Sequence, residues 1–344
     1  MSLFEQYMYV LACGDGSLYT GYSTDVAVRL AAHRAGRGAR YTKTHAPVRL
    51  VAQARFYSKQ RAMSAEARFK RLGRAEKDRL LSLAKHEPFE DVLRRELPGF
   101  GEDTAQEYVH RSLSLHAEPE FARFQARLIP TVDAGSIVGV RAEELRRIAR
   151  GLVRRDDAEA FLSSLPHQLF EEMQVHAIAI GLEKDYETAL SRYEAFLPFV
   201  DNWATCDKLS VGVLGRRPEE TLGRVEDWLA EGRCYPMRFA IRVLMELFLG
   251  ERFDPRLMEA VADAHMPERR DEPALADDVY YLNMMRAWYF AEAMVRQPEW
   301  ALAYLERSDA VEPLDEWTRR KAIQKAIESF RVPALLKERL RGAR

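Results

Sequence analysis

The chain has 344 residues, of which 47% are hydrophobic, so it is long enough to bury a sizeable core and to form two or three domains. Its net charge of −1 hides an uneven distribution, because residues 1–84 hold 15 Lys and Arg against 6 Asp and Glu and the remainder is acidic. Charged residues interrupt every apolar run, and the three cysteines form no CxxC pair, which argues against a membrane span, a disulfide framework and a cysteine zinc site. We therefore expect a cytoplasmic protein whose basic front domain binds nucleic acid.

The front of the chain predicts a small mixed domain with the element order β-β-α-β-α. Strand-like runs at 7–12 and 17–22 flank a Gly-Asp-Gly turn that suits a hairpin. An amphipathic helix with a capping Thr or Asp follows the hairpin. A glycine-rich loop then leads to a third strand at 48–57, and residues 61–84 return to helix.

The rest of the chain predicts an all-α domain behind a linker. Prolines, glycines and alternating charges mark the linker, and about thirteen amphipathic segments follow, with Pro or Gly at most joints. Helices near 119–129 and 203–214 are examples. The pattern is typical of a HEAT-like array of stacked helix pairs, with a compact bundle as the alternative. The predicted divisions are an α+β domain over 1–86, a linker over 87–103 and a helical repeat domain over 104–344.

Four side chains of the front domain are expected to share one site. Tyr9 and Tyr19 lie on adjacent strands of the hairpin, where alternation brings both rings to one face. Arg29 and His33 are four residues apart and are therefore neighbours on one helix face. Each of these four residues alone has an ordinary structural explanation. The prediction of a shared site therefore rests on their occurring together.

Glu66 adds a carboxylate on the last helix of this domain. A hard divalent cation accepts a single protein carboxylate when water and phosphate oxygens complete its coordination. Phosphodiester hydrolysis needs such a cation, a positioned base or water, and a fixed positive charge. The alternative for Glu66 is a surface ion pair with Arg68 or Lys70.

Together these residues resemble the GIY-YIG nuclease domain, in its short bacterial stand-alone form, over residues 5–84. MYV and LYTG fall at its two motifs, and GARYT and APVRLV resemble the loop and strand that follow. The resemblance implies that Tyr19 is the general base or positions the water, that Tyr9 supports the nucleophile or leaving group, and that Arg29 stabilises the phosphorane. It also implies His33 as an auxiliary group and Glu66 as the ligand of Mg²⁺ or Mn²⁺. The residues implied to line the substrate groove are Tyr22, Tyr41 and Lys43.

The segment FVDNWATCDKLS places Trp203 and Asp207 four residues apart on a predicted helix. An aromatic face and a carboxylate both stabilise a sugar that becomes cationic as it loses its base. The ordinary alternative is a Trp that anchors a helix start beside a surface Asp. In a second aromatic run, DVYYLNMMRAWYF, core packing is expected for Tyr280, Tyr281 and Trp288, with another aromatic wall as the alternative.

Residues 104–340 resemble the HEAT-repeat alkylpurine DNA glycosylases of the AlkD type. The matching segments are IVGVRAEELRRIAR, VDNWATCD, MRFAIRVLM and RKAIQKAIESFR. The resemblance implies that Trp203 is an aromatic wall, that Asp207 is the catalytic carboxylate and that Arg238 contacts the DNA backbone. It places Lys325 where the family has a second tryptophan, and a lysine there attracts phosphate and repels a cationic base. No cofactor is expected in this domain.

The sequence therefore predicts a DNA repair protein that joins a divalent-metal-dependent endonuclease to a domain that binds or excises alkylated bases. Its expected partner is duplex DNA with alkylated or abasic lesions. Two alternatives remain open. The helical array is a non-catalytic scaffold for DNA lesions or for another protein, or the front domain is a catalytically silent nucleic-acid clamp.

Overall fold

The chain folds into two compact units, each of the class expected from the sequence. The residues described by the computed structural model are 6–56, 59–97, 103–266 and 276–343. Met1–Leu115 with Glu159–Phe161 form the first unit, and His116–Ala158 with Leu162–Arg344 form the second. A three-stranded sheet with helices is followed by a largely helical region, which confirms the predicted fold class.

The first unit contains an antiparallel sheet with the strand order β2-β1-β3. Its strands are β1 (Gln6–Ala12), β2 (Leu18–Ser23) and β3 (Arg49–Phe56). The predicted hairpin is confirmed, because Tyr9 pairs with Gly21 and Leu11 pairs with Tyr19. Successive side chains alternate between the faces of the sheet, so Tyr9 and Leu11 belong to one apolar cluster and Met8 to the other.

Helices cover both faces of this sheet. On the Tyr9 face lies α1 (Val26–Arg34), which begins where the Asp25 carboxylate accepts a hydrogen bond from the Val28 N–H at 2.9 Å. The other helices of the unit are α2 (Arg40–Thr44), α3 (Lys59–Arg71), α4 (Arg74–Leu83), α5 (Phe89–Glu96) and α6 (Ala105–Leu115). The single helix predicted over 61–84 is interrupted, because Gly73 adopts an extended conformation and caps α4.

The linker predicted over 87–103 contains a packed helix. Phe89, Val92 and Leu93 of α5 are buried in the apolar cluster that holds Met8. Their spacing is that of an amphipathic helix, and the prolines and glycines around it obscured the pattern. Residues 98–102, which carry PGFGE, lie outside the described residues.

The second unit is helical, and no strand occurs in the part of it that the structure describes. From residue 116 onward the helices are α7 (Pro119–Leu128), α8 (Ala142–Leu152), α9 (Ala158–Leu162), α10 (Phe170–Ile180), α11 (Tyr186–Phe196), α12 (Trp203–Cys206), α13 (Pro218–Ala230), α14 (Cys234–Val243), α15 (Pro255–Asp263), α16 (Ala276–Arg296), α17 (Pro298–Leu305), α18 (Glu316–Glu328) and α19 (Ala334–Gly342). One large core joins α10 to α19. Among the described residues, no helix has both the length and the apolar character that crossing a bilayer requires.

The helix predicted over 203–214 is limited to the single turn α12. The Asn202 side chain caps this turn by accepting a hydrogen bond from the Thr205 N–H at 2.8 Å, and Asp207 ends it. From residue 209 to residue 213 buried and exposed residues alternate, and the buried ones are Leu209, Val211 and Val213. A period of two with β-branched residues does not favour a helix, which explains why the turn stops.

Candidate functional site

Tyr9 lies at the centre of the predicted nuclease site. Its hydroxyl oxygen is 2.9 Å from His33 Nε2 and 3.4 Å from Arg29 Nε. Its ring centroid lies 6.3 Å from that of Tyr19. The strand pairing allows this arrangement because the residue opposite Tyr9 is Gly21, where a Cβ atom would overlap the Tyr9 hydroxyl. The hairpin and α1 therefore bring together all four residues that the sequence grouped.

The four side chains differ in exposure and in ionisation. Tyr9 and His33 are buried, whereas Tyr19 and Arg29 are partly exposed. Burial raises the pKa of the Tyr9 phenol to about 12. Burial, with the nearby charge of Arg29 as the second cause, lowers the pKa of His33 below its usual 6.5. At neutral pH Tyr9 is therefore protonated and His33 is uncharged, and Tyr19 and Arg29 form the part of the cluster that reaches solvent.

A contact with Thr42 fixes the tautomer of His33. The Thr42 hydroxyl donates its proton to the Ala39 carbonyl oxygen at 2.9 Å. The same Oγ1 atom lies 2.6 Å from His33 Nδ1 and must therefore accept the Nδ1 proton. His33 Nε2 then carries no proton and accepts the hydrogen bond from Tyr9. The hydrogen bonds thus run in one direction from Arg29 through Tyr9 and His33 to Thr42.

Thr42 is a site residue that sequence reasoning missed. It lies on α2, which is joined to α1 by a glycine-rich loop. The loop passes so close to the imidazole that a Cβ atom at Gly38 would overlap His33 Nδ1. The glycines of AGRGARYT were the available signal, but only the folded loop reveals which hydroxyl meets the histidine.

Tyr41 and Lys43, two of the predicted groove residues, lie on either side of Thr42 on α2. Both are exposed. The Tyr41 ring stacks on His45 with the centroids 4.2 Å apart, and its hydroxyl donates to Ser17 Oγ at 2.9 Å. These contacts hold the Tyr41 ring at the surface beside the buried Thr42.

Tyr22, the third predicted groove residue, is not part of this cluster. It packs with the apolar residues on the opposite face of the sheet from Tyr19, and its hydroxyl is hydrogen-bonded to Gln6 Oε1. Tyr22 is three positions after Tyr19 along β2, an odd number, so strand alternation places the two rings on different faces. Tyr22 is therefore not grouped with Tyr9 and Tyr19, and its contact with the substrate stays a prediction.

Glu66 lies on α3, which packs on the Met8 face of the sheet. Its carboxylate accepts a hydrogen bond from Lys70 Nζ at 2.5 Å. The described residues contain no group of three His, Cys, Asp or Glu side chains that could hold a metal ion. The Lys70 ammonium neutralises the Glu66 carboxylate, as a bound metal cation would do in its place. The donor set therefore fits Mg²⁺ or Mn²⁺ only with Glu66 as the protein ligand and water and phosphate as the others.

Trp203 and Asp207 line one cavity of the second unit, as their spacing predicts. The cavity has a volume of about 270 Å³. Phe121 and Phe124 of α7 add two more aromatic side chains to its lining. The Trp203 indole N–H donates to the Leu128 carbonyl oxygen at 3.4 Å, which holds the ring at the wall.

Arg238 holds Asp207 in a bidentate ion pair. Its Nε lies 3.1 Å from Oδ1 and its Nη2 lies 2.9 Å from Oδ2 of Asp207. A third bond runs from Nη1 to the Tyr281 carbonyl oxygen at 2.8 Å. Arg238 is only 5% exposed, because nearly every residue of α14 is buried. The prediction that Arg238 contacts the DNA backbone is therefore corrected: its guanidinium is committed to Asp207 within the protein.

Lys325 does not line this cavity. It lies on α18, which packs against α16. The lysine that does line the cavity is Lys208, which the sequence reasoning missed although it directly follows Asp207. Burial, with the nearby charge of Arg146 as the second cause, lowers the pKa of Lys208. The expected position of Lys325 near this cleft is corrected, whereas its contact with DNA stays a prediction.

The second aromatic run is only partly core. Tyr289 and Phe290 of α16 are buried, but Tyr280 and Trp288 are exposed. The helix is 21 residues long and buries one side while leaving the other in contact with solvent. The assignment of Tyr280 and Trp288 to core packing is corrected.

Comparison with known proteins reveals two distinct relationships along the chain. Residues 109–326 match the family model described as DNA alkylation repair enzyme, and residues 5–79 match the GIY-YIG catalytic domain. The UPF0213 protein of Streptococcus sanguinis SK36 is 61% identical over 73 residues, which covers 21% of this chain and 84% of the relative. The UPF0213 protein spr1390 of Streptococcus pneumoniae R6 is 55% identical over 78 residues, which covers 23% of this chain and 79% of the relative.

A solved structure is similar to the same front part. It is the solution NMR structure of the UPF0213 protein BH0048 from Bacillus halodurans, with 45% identity, coverage of 27% of this chain and 98% of that chain, and a TM-score of 0.18. The match to the repair family spans more than half of the present chain. The chain therefore belongs to the DNA alkylation repair enzyme family and carries a GIY-YIG catalytic domain ahead of that region, a combination that supports a DNA repair nuclease.

Proposed function

We propose that this protein is a divalent-metal-dependent DNA endonuclease whose helical unit binds or excises alkylated bases. GIY-YIG nucleases are generally dependent on a divalent metal. The observation that carries the nuclease proposal is the convergence on Tyr9, where a buried Tyr9–His33 pair lies directly behind the partly exposed Tyr19 and Arg29. The partner is DNA, and duplexes with alkylated or abasic lesions are the proposed substrates.

Arg29 is the group that binds the scissile phosphate. In the described part of the chain it has no carboxylate partner, and its Nε contacts the uncharged Tyr9 hydroxyl at 3.4 Å. A fixed guanidinium without a counterion stabilises the negative charge that develops on the phosphoryl oxygens during attack. Glu66 lies on α3, on the opposite face of the sheet from Tyr9; it would hold a Mg²⁺ or Mn²⁺ ion, which would supply Lewis-acid stabilisation to a phosphate when bound.

Tyr19 positions the attacking water and takes its proton. The Tyr19 hydroxyl is close enough to Tyr9 and Arg29 to affect the pKa of both. As the water proton moves to the Tyr19 oxygen, Tyr19 passes its own proton to Tyr9, and Tyr9 passes its proton to His33 Nε2. The resulting imidazolium keeps its Nδ1–H bond to Thr42. Burial and the Arg29 charge disfavour this imidazolium, so the relay requires the negative charge that develops on the phosphoryl oxygens to offset them.

Replacing Glu66 with Gln is expected to lower metal-dependent cleavage at least about a hundredfold, because the amide removes the charge that holds the cation. The measurement is strand cleavage over a MgCl₂ titration with an EDTA blank. Glu76→Gln is the matched control, since Glu76 is an exposed carboxylate on α4 that pairs with Arg79. Equal cleavage by Glu66→Gln and the wild type at every Mg²⁺ concentration would reject the metal assignment.

Thr42→Val is expected to slow cleavage by about 10- to 100-fold, because residues that orient a functional histidine have effects of that size. Valine leaves the His33 Nδ1 proton without its acceptor, so the tautomer that accepts from Tyr9 is no longer fixed. Single-turnover rates measured between pH 5 and pH 8 test this, with Thr42→Ser as the restoring variant. Thr44→Val is the control, because that exposed hydroxyl is hydrogen-bonded to the Tyr41 carbonyl oxygen and to His45 Nδ1 but not to His33. If Thr42 has only a structural role, Thr42→Val will lower the stability of the protein and leave the pH profile of the cleavage rate unchanged. That result would contradict the proton relay.

The cavity beside Trp203 favours a second activity, which is binding or excision of an alkylated base. A base lying between the aromatic walls would bring its sugar near the carboxylate that Arg238 holds in place. Such a carboxylate stabilises the cationic sugar that forms as the base leaves. Two alternatives remain for the helical unit. It binds the lesion without excising the base, or it is a scaffold for another protein.

Asp207→Asn is expected to lower release of 7-methylguanine from duplex DNA by about 10²-fold, while DNA binding changes little. Released base is separated from intact DNA and counted. If the wild type releases no base and Trp203→Ala weakens lesion binding, the unit is a lesion binder rather than a glycosylase. If neither substitution alters any DNA assay, the helical unit is a scaffold for another protein.

A further inference from the structure

An aromatic and cationic surface lies on α16 and α18, apart from the Trp203 cavity. Tyr280 and Trp317 are 46% and 37% exposed, and their ring centroids lie 5.4 Å apart in an edge-on contact. Trp317 borders a surface cavity of about 660 Å³, which Arg320, Lys321 and Gln324 also line. Two large rings held at the surface beside cations differ from the single apolar residues that protein surfaces ordinarily expose.

The α18 side of this surface is positively charged, whereas the first turn of α16 beside Tyr280 carries Asp277 and Asp278. Helix α18 carries four Lys and Arg against two Glu. The carboxylate of Glu316 is already bound by Arg307, Arg319 and Arg320. These arginines neutralise the charge of Glu316, so Glu316 does not repel an anion.

Two lysines extend the surface along α18. Lys321 and Lys325 follow Trp317 at intervals of four residues, so all three lie on one side of the helix with about 6 Å between successive turns. Lys321 Nζ lies 6.0 Å from the Trp317 ring centroid, and its hydrogen bond is to the uncharged Gln324 side chain at 3.2 Å. Within the described ranges neither lysine has a carboxylate partner, so both ammonium groups are available to phosphate.

We propose that Tyr280, Trp317, Lys321 and Lys325 form a binding platform for an unpaired stretch of DNA strand. Unpaired bases stack on exposed aromatic rings without regard to sequence, and lysines at regular spacing neutralise the backbone phosphates. In a duplex the base faces are stacked on one another, so no base face is exposed to stack on the Trp317 indole. The platform binds strand regions that are open beside a lesion or a cut, and it does so without help from the nuclease site.

The test is fluorescence anisotropy of the full chain with a labelled oligodeoxythymidine of about fifteen nucleotides and with a duplex of the same length. EDTA is present throughout, so the result does not depend on the proposed strand cleavage. Trp317→Ala should weaken single-strand binding about tenfold, which corresponds to about 1.4 kcal/mol, and Trp317→Phe should retain most of it. Duplex binding by both variants should stay within about twofold of the wild type.

Trp300→Ala is the matched control, because Trp300 is 47% exposed but lies on α17 beside Phe253. It should bind single strands like the wild type. Replacing Lys321 and Lys325 together with Gln should reduce the slope of log affinity against log salt by about 1.4. The proposal is overturned if Trp317→Ala binds the single strand like the wild type, if Trp300→Ala loses as much, or if Trp317→Ala loses duplex and single strand equally.

Discussion

Arg29→Ala is expected to reduce DNA strand cleavage by about a thousandfold or more, because a positioned guanidinium stabilises charge that appears on the phosphoryl oxygens only in the transition state. The effect should fall on the cleavage step, with DNA binding weakened much less. Single-turnover cleavage with protein in excess separates the two quantities. Arg29→Lys should recover only part of the rate, because an ammonium cannot reproduce the planar fork of donors.

Arg37→Ala is the matched control for Arg29. Arg37 is an exposed arginine in the loop between α1 and α2, so its loss removes the same formal charge from the same part of the domain. Should Arg37→Ala and Arg29→Ala reduce cleavage equally, the charge of the domain rather than the Tyr9 cluster would be responsible. Unchanged cleavage by Arg29→Ala would remove Arg29 from the mechanism altogether.

Arg238→Ala is expected to lower the free energy of unfolding of the helical unit by about 3–5 kcal/mol, because removing one partner of a buried ion pair leaves the other uncompensated. Only 22% of the Asp207 side chain is exposed, so water replaces the lost partner poorly. The Tyr281 carbonyl oxygen also loses its bond to Nη1. Urea unfolding followed by tryptophan fluorescence measures the change.

Arg256→Ala provides the comparison for Arg238. Arg256 also pairs with an aspartate, Asp254, but its side chain is largely exposed, so its removal should cost less than about 1 kcal/mol. If Arg238 served mainly to bind DNA phosphate, Arg238→Ala would lower DNA affinity with little loss of stability. That result contradicts the assignment of Arg238 to positioning Asp207.

The sequence predicted the parts of the fold that depend on local pattern. Alternation along a short hairpin placed Tyr9 and Tyr19 on one face, and a four-residue spacing placed Arg29 beside His33 on α1. Both rules follow from the geometry of single elements and need no knowledge of what packs on them. The same alternation rule, applied to Tyr22, also predicts the opposite face on which it lies.

The features that the sequence did not predict depend on contacts distant in the chain. Helix α5 is short, and its burial against the sheet is visible only once the sheet exists. Thr42 reaches His33 through a loop whose path depends on the close approach at Gly38. The DNA contact of Arg238 was implied by the family resemblance, whereas its pairing with Asp207 joins residues 31 positions apart.

We propose above all that the front unit cleaves DNA at the Tyr9 cluster with a divalent metal ion. The most direct measurement incubates the full chain with duplexes that carry 7-methylguanine, an abasic site or no lesion, with and without Mg²⁺, and scores strand scission and released base separately. We predict scission of lesion-bearing duplexes that requires Mg²⁺ and is lost in Arg29→Ala, and base release that is independent of Mg²⁺. Absence of scission on all three duplexes in Mg²⁺, or equal scission by the wild type and Arg29→Ala, would contradict the claim.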